Sequence, residues 1–90
     1  MKLKPDYSRA YNNLGCVYGQ KGDPDKAIEL LLFALSKEPT LAIAHYNLGL
    51  AYILKGLPEK AEAHFRTALK LNPYLQRAQR ILTRIEEDRN

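Results

Sequence analysis

The chain repeats itself at a fixed interval of 34 residues. Pro5, Pro39 and Pro73 are spaced by that interval, and residues 8–41 align with residues 42–75 without a gap, with identity at 14 of 34 positions. A repeat of this length is typical of helix-turn-helix units, which bury their apolar faces by stacking on their neighbours. The repeat therefore predicts a piece of a solenoid, an architecture that binds other molecules more often than it transforms them.

Each copy predicts two helices. The first, called the A helix, is indicated by apolar residues at helical spacing, which are Ala10, Leu14, Val17 and Tyr18, then Ala44, Leu48, Ala51 and Tyr52. Gly22 and Pro24 break the first pattern, because Gly suits the end of a helix and Pro the first turn of the next. The second, called the B helix, has an inner face formed by Ala27, Ile28, Leu31, Ala34 and Leu35, then by Ala61, Phe65, Ala68 and Leu69.

The residues that the two copies share form a spaced signature. An aromatic residue is followed by x-x-Leu-Gly-x-x-Tyr, then by Ala-x-x-x-Phe and a final Pro. Its occurrences are Tyr11, Leu14, Gly15, Tyr18, Ala27, Leu31 and Pro39, and His45, Leu48, Gly49, Tyr52, Ala61, Phe65 and Pro73. This pattern closely resembles the tetratricopeptide repeat (TPR) family, with His45 and Leu31 as two mild departures. The resemblance implies an all-α TPR solenoid of two antiparallel helix pairs.

Glycines within the A helices indicate close packing. Gly15 and Gly49 have no side chain, so each A helix is expected to approach Ala27 or Ala61 of its own B helix closely. A glycine inside a helix costs about 1 kcal/mol of helix propensity, so packing must offset that cost.

The two ends of the chain differ from the repeats at residues 8–41 and 42–75. A helix over residues 76–90 would have one apolar face, formed by Ala78, Ile81, Leu82 and Ile85. Thr83 and Glu86 replace the Gly and Tyr of the signature, which is expected of a capping helix that covers the end of the stack. Residues 1–7 parallel the tail of a B helix and are expected to be the stub of an upstream repeat in a fragment or a truncated solenoid.

Composition restricts the class of protein. Ninety residues allow one small domain, close to the lower limit for stable burial. The sequence has no apolar run near the roughly 20 residues that span a bilayer, and no signal peptide is expected because Pro5 interrupts the start. The single cysteine, Cys16, excludes an internal disulfide and favours the cytoplasm without proving it.

The sequence contains no catalytic or metal-binding motif. His45 and His64 lie within helical patterns, Cys16 is far from both in sequence, and no H-x-x-x-H, C-x-x-C or Gly-rich phosphate loop is present. His45 is expected to replace the aromatic core residue, and His64 to be a solvated or partly packed surface residue. We therefore expect no enzyme activity, no cofactor and no bound metal.

The resemblance also implies where a ligand would bind, because the A helices of TPR proteins line a concave surface. The residues expected to form this peptide-binding groove are Asn12, Asn13, Cys16, Tyr46, Asn47, Leu50, Ile53, Arg77, Arg80 and Arg84. An apolar stripe between asparagines and arginines suits an extended or helical peptide with apolar anchors and an acidic group. Alternatively, Leu50 and Leu54 support the neighbouring helix.

One mode of binding in the family is not expected here. Chaperone-binding members capture a C-terminal carboxylate with Lys, Asn and Arg side chains from three A helices. Asn47 matches the middle Asn, and Arg77 could replace a Lys of the third helix. Asn12, Cys16 and Ile81 occupy the other positions and cannot supply the required charge, so the clamp is incomplete.

Two other functions compete with peptide binding. Leu30, Leu32 and Phe33 stand where the second copy has His64, Arg66 and Thr67, which predicts a weak homodimer, a contact with an upstream repeat, or ordinary exposed residues. Nucleic-acid binding is less supported. The pI is about 9.3, but Arg77, Arg80, Arg84 and Arg89 are interleaved with acidic residues and lack an aromatic stacking platform.

Overall fold

The computed structural model describes residues 7–89, which form five helices of 14 residues each. Their bounds are α1 Tyr7–Gln20, α2 Pro24–Lys37, α3 Ala42–Lys55, α4 Pro58–Leu71 and α5 Gln76–Arg89. The pairs α1/α2 and α3/α4 are the two predicted A/B pairs, and α5 packs on α4. The all-α solenoid is therefore confirmed. The predicted upstream stub lies largely outside the described residues, and Tyr7 already belongs to α1.

Short signals in the sequence set the helix ends. Asp23 caps α2 with its side chain, which accepts a hydrogen bond from the backbone N–H of Lys26 at 3.2 Å. Pro24 and Pro58 occupy the first turns of the B helices, where a missing N–H costs nothing. Gly56 ends α3 with φ of 79°, a left-handed conformation that glycine adopts without strain.

The helix α3 lies between two hydrophobic clusters. The first cluster contains Ala27, Leu31, Leu41, Ala44, Leu48 and Ala51. The second contains Tyr46, Ala61, Phe65, Ala68, Ala78 and Leu82. Because α3 contributes to both, it is apolar on two sides rather than on one. The core of the molecule is thus continuous from α2 through α3 to α5.

The mid-helix glycines permit the close approach that was expected, but the neighbour is mainly the larger residue of the B helix. A Cβ on Gly15 would lie 2.8 Å from Leu31 Cγ and 3.3 Å from the carbonyl oxygen of Ala27. A Cβ on Gly49 would lie 2.5 Å from Phe65 Cε1. Glycine is required at both places because the ring or isobutyl group of the B helix fills the space of a side chain.

The two copies differ in how they bury their A helices. Ala44, Leu48 and Ala51 on α3 are almost fully buried against the first repeat, whereas Leu14 and Val17 on α1 are 45% and 44% exposed. The face of α1 that carries Ala10, Leu14 and Val17 is therefore largely exposed. The matched face of α3 packs on α2, but no described helix covers it on α1.

The last helix, α5, packs on α4. Ala78 and Leu82 are buried in the second cluster. The buried carboxylate of Glu62 on α4 accepts hydrogen bonds from Arg66 and from Arg89, and Arg66 also reaches Glu86 at 2.7 Å. Apolar packing and this ion network together hold α5 on α4.

Candidate functional site

Two pockets flank α3. The first lies between α1 and α3 and has a volume of about 290 Å³. Its walls consist of Gly15, Cys16, Gly19 and Gln20 from α1, Ala27 from α2, and Asn47, Leu50, Ala51, Ile53 and Leu54 from α3. The absence of a side chain on Gly19 leaves room beside α1, while α3 supplies aliphatic groups. An aliphatic side chain of a ligand would find apolar contacts there, with the amides of Asn47 and Gln20 at the edges.

Leu54 contributes more to this first pocket than expected. Its side chain is 56% exposed, so it does not serve mainly to support a neighbouring helix. Ile53 is also exposed, and Leu50 is half-buried. When a ligand covers an exposed aliphatic wall, apolar surface is removed from water, which favours binding.

The second pocket lies between the start of α3 and the start of α5, with a volume of about 560 Å³. Ile43 and Tyr46 form its apolar wall, and Arg77 and Arg80 form its basic wall. Tyr74, in the loop before α5, is 87% exposed at its rim. Exposed guanidinium groups beside an aromatic ring favour an anionic ligand group such as a carboxylate.

Asn12 was expected to face a ligand, and the structure places it elsewhere. Its side chain is buried, and Asn12 Oδ1 accepts a hydrogen bond from Asn47 Nδ2 at 2.9 Å. The bond ties α1 to α3 beneath the first pocket. Asn47 lines that pocket while one of its amide hydrogens is committed to Asn12, so this pair positions the wall more than it offers free polar groups.

Tyr46 also differs from the expectation that it belongs to a non-core face. It is only 8% exposed, and its ring lies 5.9 Å from the ring of Phe65 in the second cluster. Tyr46 therefore belongs to the core and presents only an edge to the second pocket. The physical reason is that α3 is covered on two sides, which a single-helix pattern does not reveal.

The residues predicted for self-association are also corrected in part. Leu30 is 8% exposed and so is not available to a partner. Leu32 and Phe33 are exposed, as expected. The ring of Phe33 contacts Tyr11 of α1 at a centroid distance of 4.5 Å, so Phe33 is partly covered within the chain.

The other predicted groove residues divide into two groups. Cys16, Leu50 and Ile53 line the first pocket, and Arg77 and Arg80 the second. Asn13 and Arg84 are exposed but are not among the residues that line these two pockets. Sequence reasoning missed Gly19 and Tyr74 as lining residues. The available signals were a second glycine four residues after Gly15, and an aromatic residue directly after Pro73.

The two histidines form a contact that the sequence did not predict. His45 Nδ1 and His64 Nδ1 lie 3.2 Å apart, and the ring of Tyr52 stacks on His64 at 5.5 Å. His45 Nε2 lies 3.2 Å from the carbonyl oxygen of Pro39, which can only accept, so this nitrogen carries the proton in neutral His45. His45 Nδ1 is then the acceptor for the Nδ1–H of His64.

This environment opposes protonation of His64. Burial lowers the pKa of His64 below its ordinary value of 6.5, and the neighbouring His45 and Lys60 lower it further because they repel a second positive charge. His45 thus packs in place of the aromatic residue of the signature, and His64 is partly buried.

Within residues 7–89, no group of three or more His, Cys, Asp or Glu side chains is arranged to hold a metal ion. Among the same residues, no helix combines the length and the apolar character needed to cross a membrane.

Comparison with known proteins identifies the repeat. A family model described as tetratricopeptide repeat matches residues 5–75, which is most of the chain and includes α1 to α4. None of the curated proteins compared with the chain matches it.

Proposed function

The chain belongs to the tetratricopeptide repeat family, and from this premise we propose that it binds a peptide segment of another protein in the groove along α3. Domains of this family generally mediate protein–protein interaction and are typically non-catalytic. The observation that supports the proposal is the first pocket, an apolar cleft beside which Ile53 and Leu54 are exposed.

The first pocket would take an aliphatic side chain of the ligand. Gly19, where a side chain would have room, lies on one wall, and Leu50, Ile53 and Leu54 form the other. Burying such a side chain contributes about 1.5–3 kcal/mol before the entropy of association is subtracted. The cleft thus supplies affinity, and its small volume of about 290 Å³ limits it to one or two side chains.

The second pocket would set the polarity of the ligand. Both pockets are lined by residues of α3, so a segment bound along α3 would reach both. Arg77 and Arg80 would pair with an acidic side chain. The preferred ligand therefore carries an aliphatic anchor and an acidic residue, and the net charge of +4 on the chain assists its approach.

Nucleic acid is the weaker candidate. Arg89, which contributed to the basic pattern, is engaged by Glu62 and holds α5 in place. The arginines of the second pocket adjoin one exposed aromatic ring, Tyr74, rather than a row of rings on which bases could stack. The setting that we favour is the cytoplasm, an inference that rests on the single cysteine.

Selection of peptides against the intact chain tests this proposal. Random peptides displayed on phage would be panned on the protein, and the affinity of a selected peptide measured by isothermal titration calorimetry. Leu54→Asp should weaken binding at least tenfold, because a buried carboxylate in the first pocket is unfavourable. Leu71→Asp, at an exposed leucine near the end of α4, is the matched control and should bind like the wild type.

The charge part of the proposal has its own control. Arg77→Glu combined with Arg80→Glu should weaken peptides that contain an acidic residue and leave their Gln-substituted versions nearly unaffected. Selected peptides that bind Leu54→Asp and the wild type equally would place the ligand outside the first pocket and refute the proposal.

A further inference from the structure

Neither the backbone nor the core requires a glycine at Gly19, unlike the other four glycines of the chain. A Cβ on Gly15 or Gly49 would lie 2.8 or 2.5 Å from a buried side chain of the paired B helix. Gly22 and Gly56 have positive φ angles, which other residues rarely adopt. Gly19 shows neither feature, and a Cβ there would make one ordinary contact. Because glycine weakens a helix, its presence at position 19 needs a reason outside the core.

Gly19 lies at the deep end of the first pocket. Ala27 and Ala51, which also line this pocket, are only 1% and 2% exposed, whereas Leu54 on the opposite wall is 56% exposed. The two alanines therefore form the floor of the pocket, and Leu54 stands at its mouth. A Cβ on Gly19 would lie 3.9 Å from Ala27 Cβ, in contact with the floor. Any side chain at position 19 would thus begin beside the floor and take volume from the pocket.

The second repeat shows that the fold accepts a large side chain at this position. In the alignment of the two copies, Gly19 corresponds to Ile53 near the end of α3. Ile53 is 40% exposed and lines the first pocket from the opposite side. An A helix therefore tolerates isoleucine at this place, and the glycine in α1 leaves open a space that isoleucine would fill.

We propose that Gly19 determines the size of the ligand side chain that enters the first pocket, and that this anchor is a leucine, isoleucine or methionine. The inference rests on the peptide binding proposed above. Among residues 7–89, none that lines the pocket carries a charge, which favours an apolar anchor. To reach from Leu54 at the mouth to Ala27 at the floor, the anchor needs atoms beyond Cγ, which alanine and valine lack.

The affinity should depend on the apolar surface that the anchor buries. Each methylene removed from water raises the affinity about fourfold. Leucine has three more side-chain carbons than alanine, so a peptide with leucine as its anchor should bind at least about tenfold more tightly than its alanine version. Isoleucine at position 19 should remove most of this difference, because it occupies the space of the leucine. The alanine version does not reach the floor and should bind both proteins equally.

Isothermal titration calorimetry with one peptide and its alanine version tests the proposal. A peptide selected by panning on the intact chain is scanned with alanine to find its anchor, and both versions are titrated into the wild type, Gly19→Ile and Val17→Ile. Val17 is an exposed residue of α1 that does not line the pocket, so Val17→Ile is the matched control for isoleucine in this helix. The wild type and Val17→Ile should prefer the anchor peptide at least about tenfold. Gly19→Ile should lower this preference to about threefold or less by weakening the anchor peptide alone.

Several outcomes would overturn the role of Gly19. They are a Gly19→Ile chain that keeps the wild-type preference, one that loses both peptides equally although circular dichroism shows intact helices, and an anchor other than leucine, isoleucine or methionine. Gly19→Ala, which adds only the Cβ, should give an intermediate preference.

The same titrations with Leu54→Asp separate this proposal from the previous one. If Leu54→Asp loses the peptide while Gly19→Ile keeps the wild-type preference, peptide binding in the first pocket stands and only the role of Gly19 falls. Equal binding by Leu54→Asp and the wild type, or a library that yields no binder, overturns both proposals.

Discussion

Replacing Gly49 by Ala should destabilise the protein, although alanine is the better helix former. A Cβ at this position would lie 2.5, 2.6 and 2.8 Å from three ring carbons of Phe65. Phe65 is fully buried, so the ring has no free space into which it could move. Overpacking of this kind costs about 1–3 kcal/mol, and the contact is severe enough to place the cost near 3. The gain in helix propensity is about 1 kcal/mol.

The expected net loss is therefore about 2 kcal/mol, or about 10 °C in melting temperature for a domain of this size. Gly19→Ala is the matched control in the other A helix. Its Cβ would lie 3.9 Å from Ala27 Cβ, an ordinary contact, so this variant should be as stable as the wild type or more stable. Urea unfolding followed by circular dichroism measures both. A Gly49→Ala chain that unfolds at or above the wild-type midpoint would refute the packing argument.

Three further predictions follow from the core and the cap. Because burial and His45 lower the folded-state pKa of His64, the unfolded chain binds more protons, so the free energy of unfolding should fall as the pH drops below about 6.5. His64→Gln should remove that part of the pH dependence, and an unchanged slope in urea titrations would speak against it. Glu62→Gln should lower the free energy of unfolding by about 1–2 kcal/mol and reduce hydrogen-exchange protection first in α5. Unaltered protection in α5 would show that the ion network does not hold this helix on α4. Tyr46→Ala should lower the free energy of unfolding by about 3 kcal/mol because the ring packs on Phe65. A melting temperature equal to that of the wild type would show that Tyr46 is not a core residue.

The 34-residue period was sufficient to predict the number, type and order of the helices. Glycine, proline and the apolar spacing are local properties of the chain, and the turns at Gly22–Pro24 and Gly56–Pro58 depend on little else. A helix after the second repeat was also predictable, since Ala78, Leu82 and Ile85 lie at helical spacing, whereas its capping role stays a prediction. These features are determined by residues close together in the chain.

It was harder to predict which faces of the A helices are buried. A helical wheel assigns an apolar face, but the number of neighbours that cover the helix depends on the rest of the stack. α3 has neighbours on two sides, which buries Tyr46 and, with α1, encloses the Asn12–Asn47 bond. α1 lacks one of those neighbours among the described residues, which exposes Leu14 and Val17. The same difference explains why two matching sequences have different surfaces.

The candidate pockets were partly predictable for a related reason. Side chains that project from the A helices, such as Leu50, Ile53 and Arg80, could be assigned to the groove by position. The cleft itself depends on the missing side chain at Gly19, and a glycine gives no apolar or charged signal. Its effect is seen only when the opposing wall of α3 is in place.

The most direct test of groove binding uses the glycines as reporters in a ¹H–¹⁵N spectrum, where glycine amides are well separated. Gly15 and Gly19 line the first pocket, whereas Gly49 faces the buried ring of Phe65 on the other side of α3. Titration with a selected peptide should shift Gly15 and Gly19 and leave Gly49 in place. Saturable binding that leaves Gly15 and Gly19 unshifted while other amides move would contradict the proposed groove.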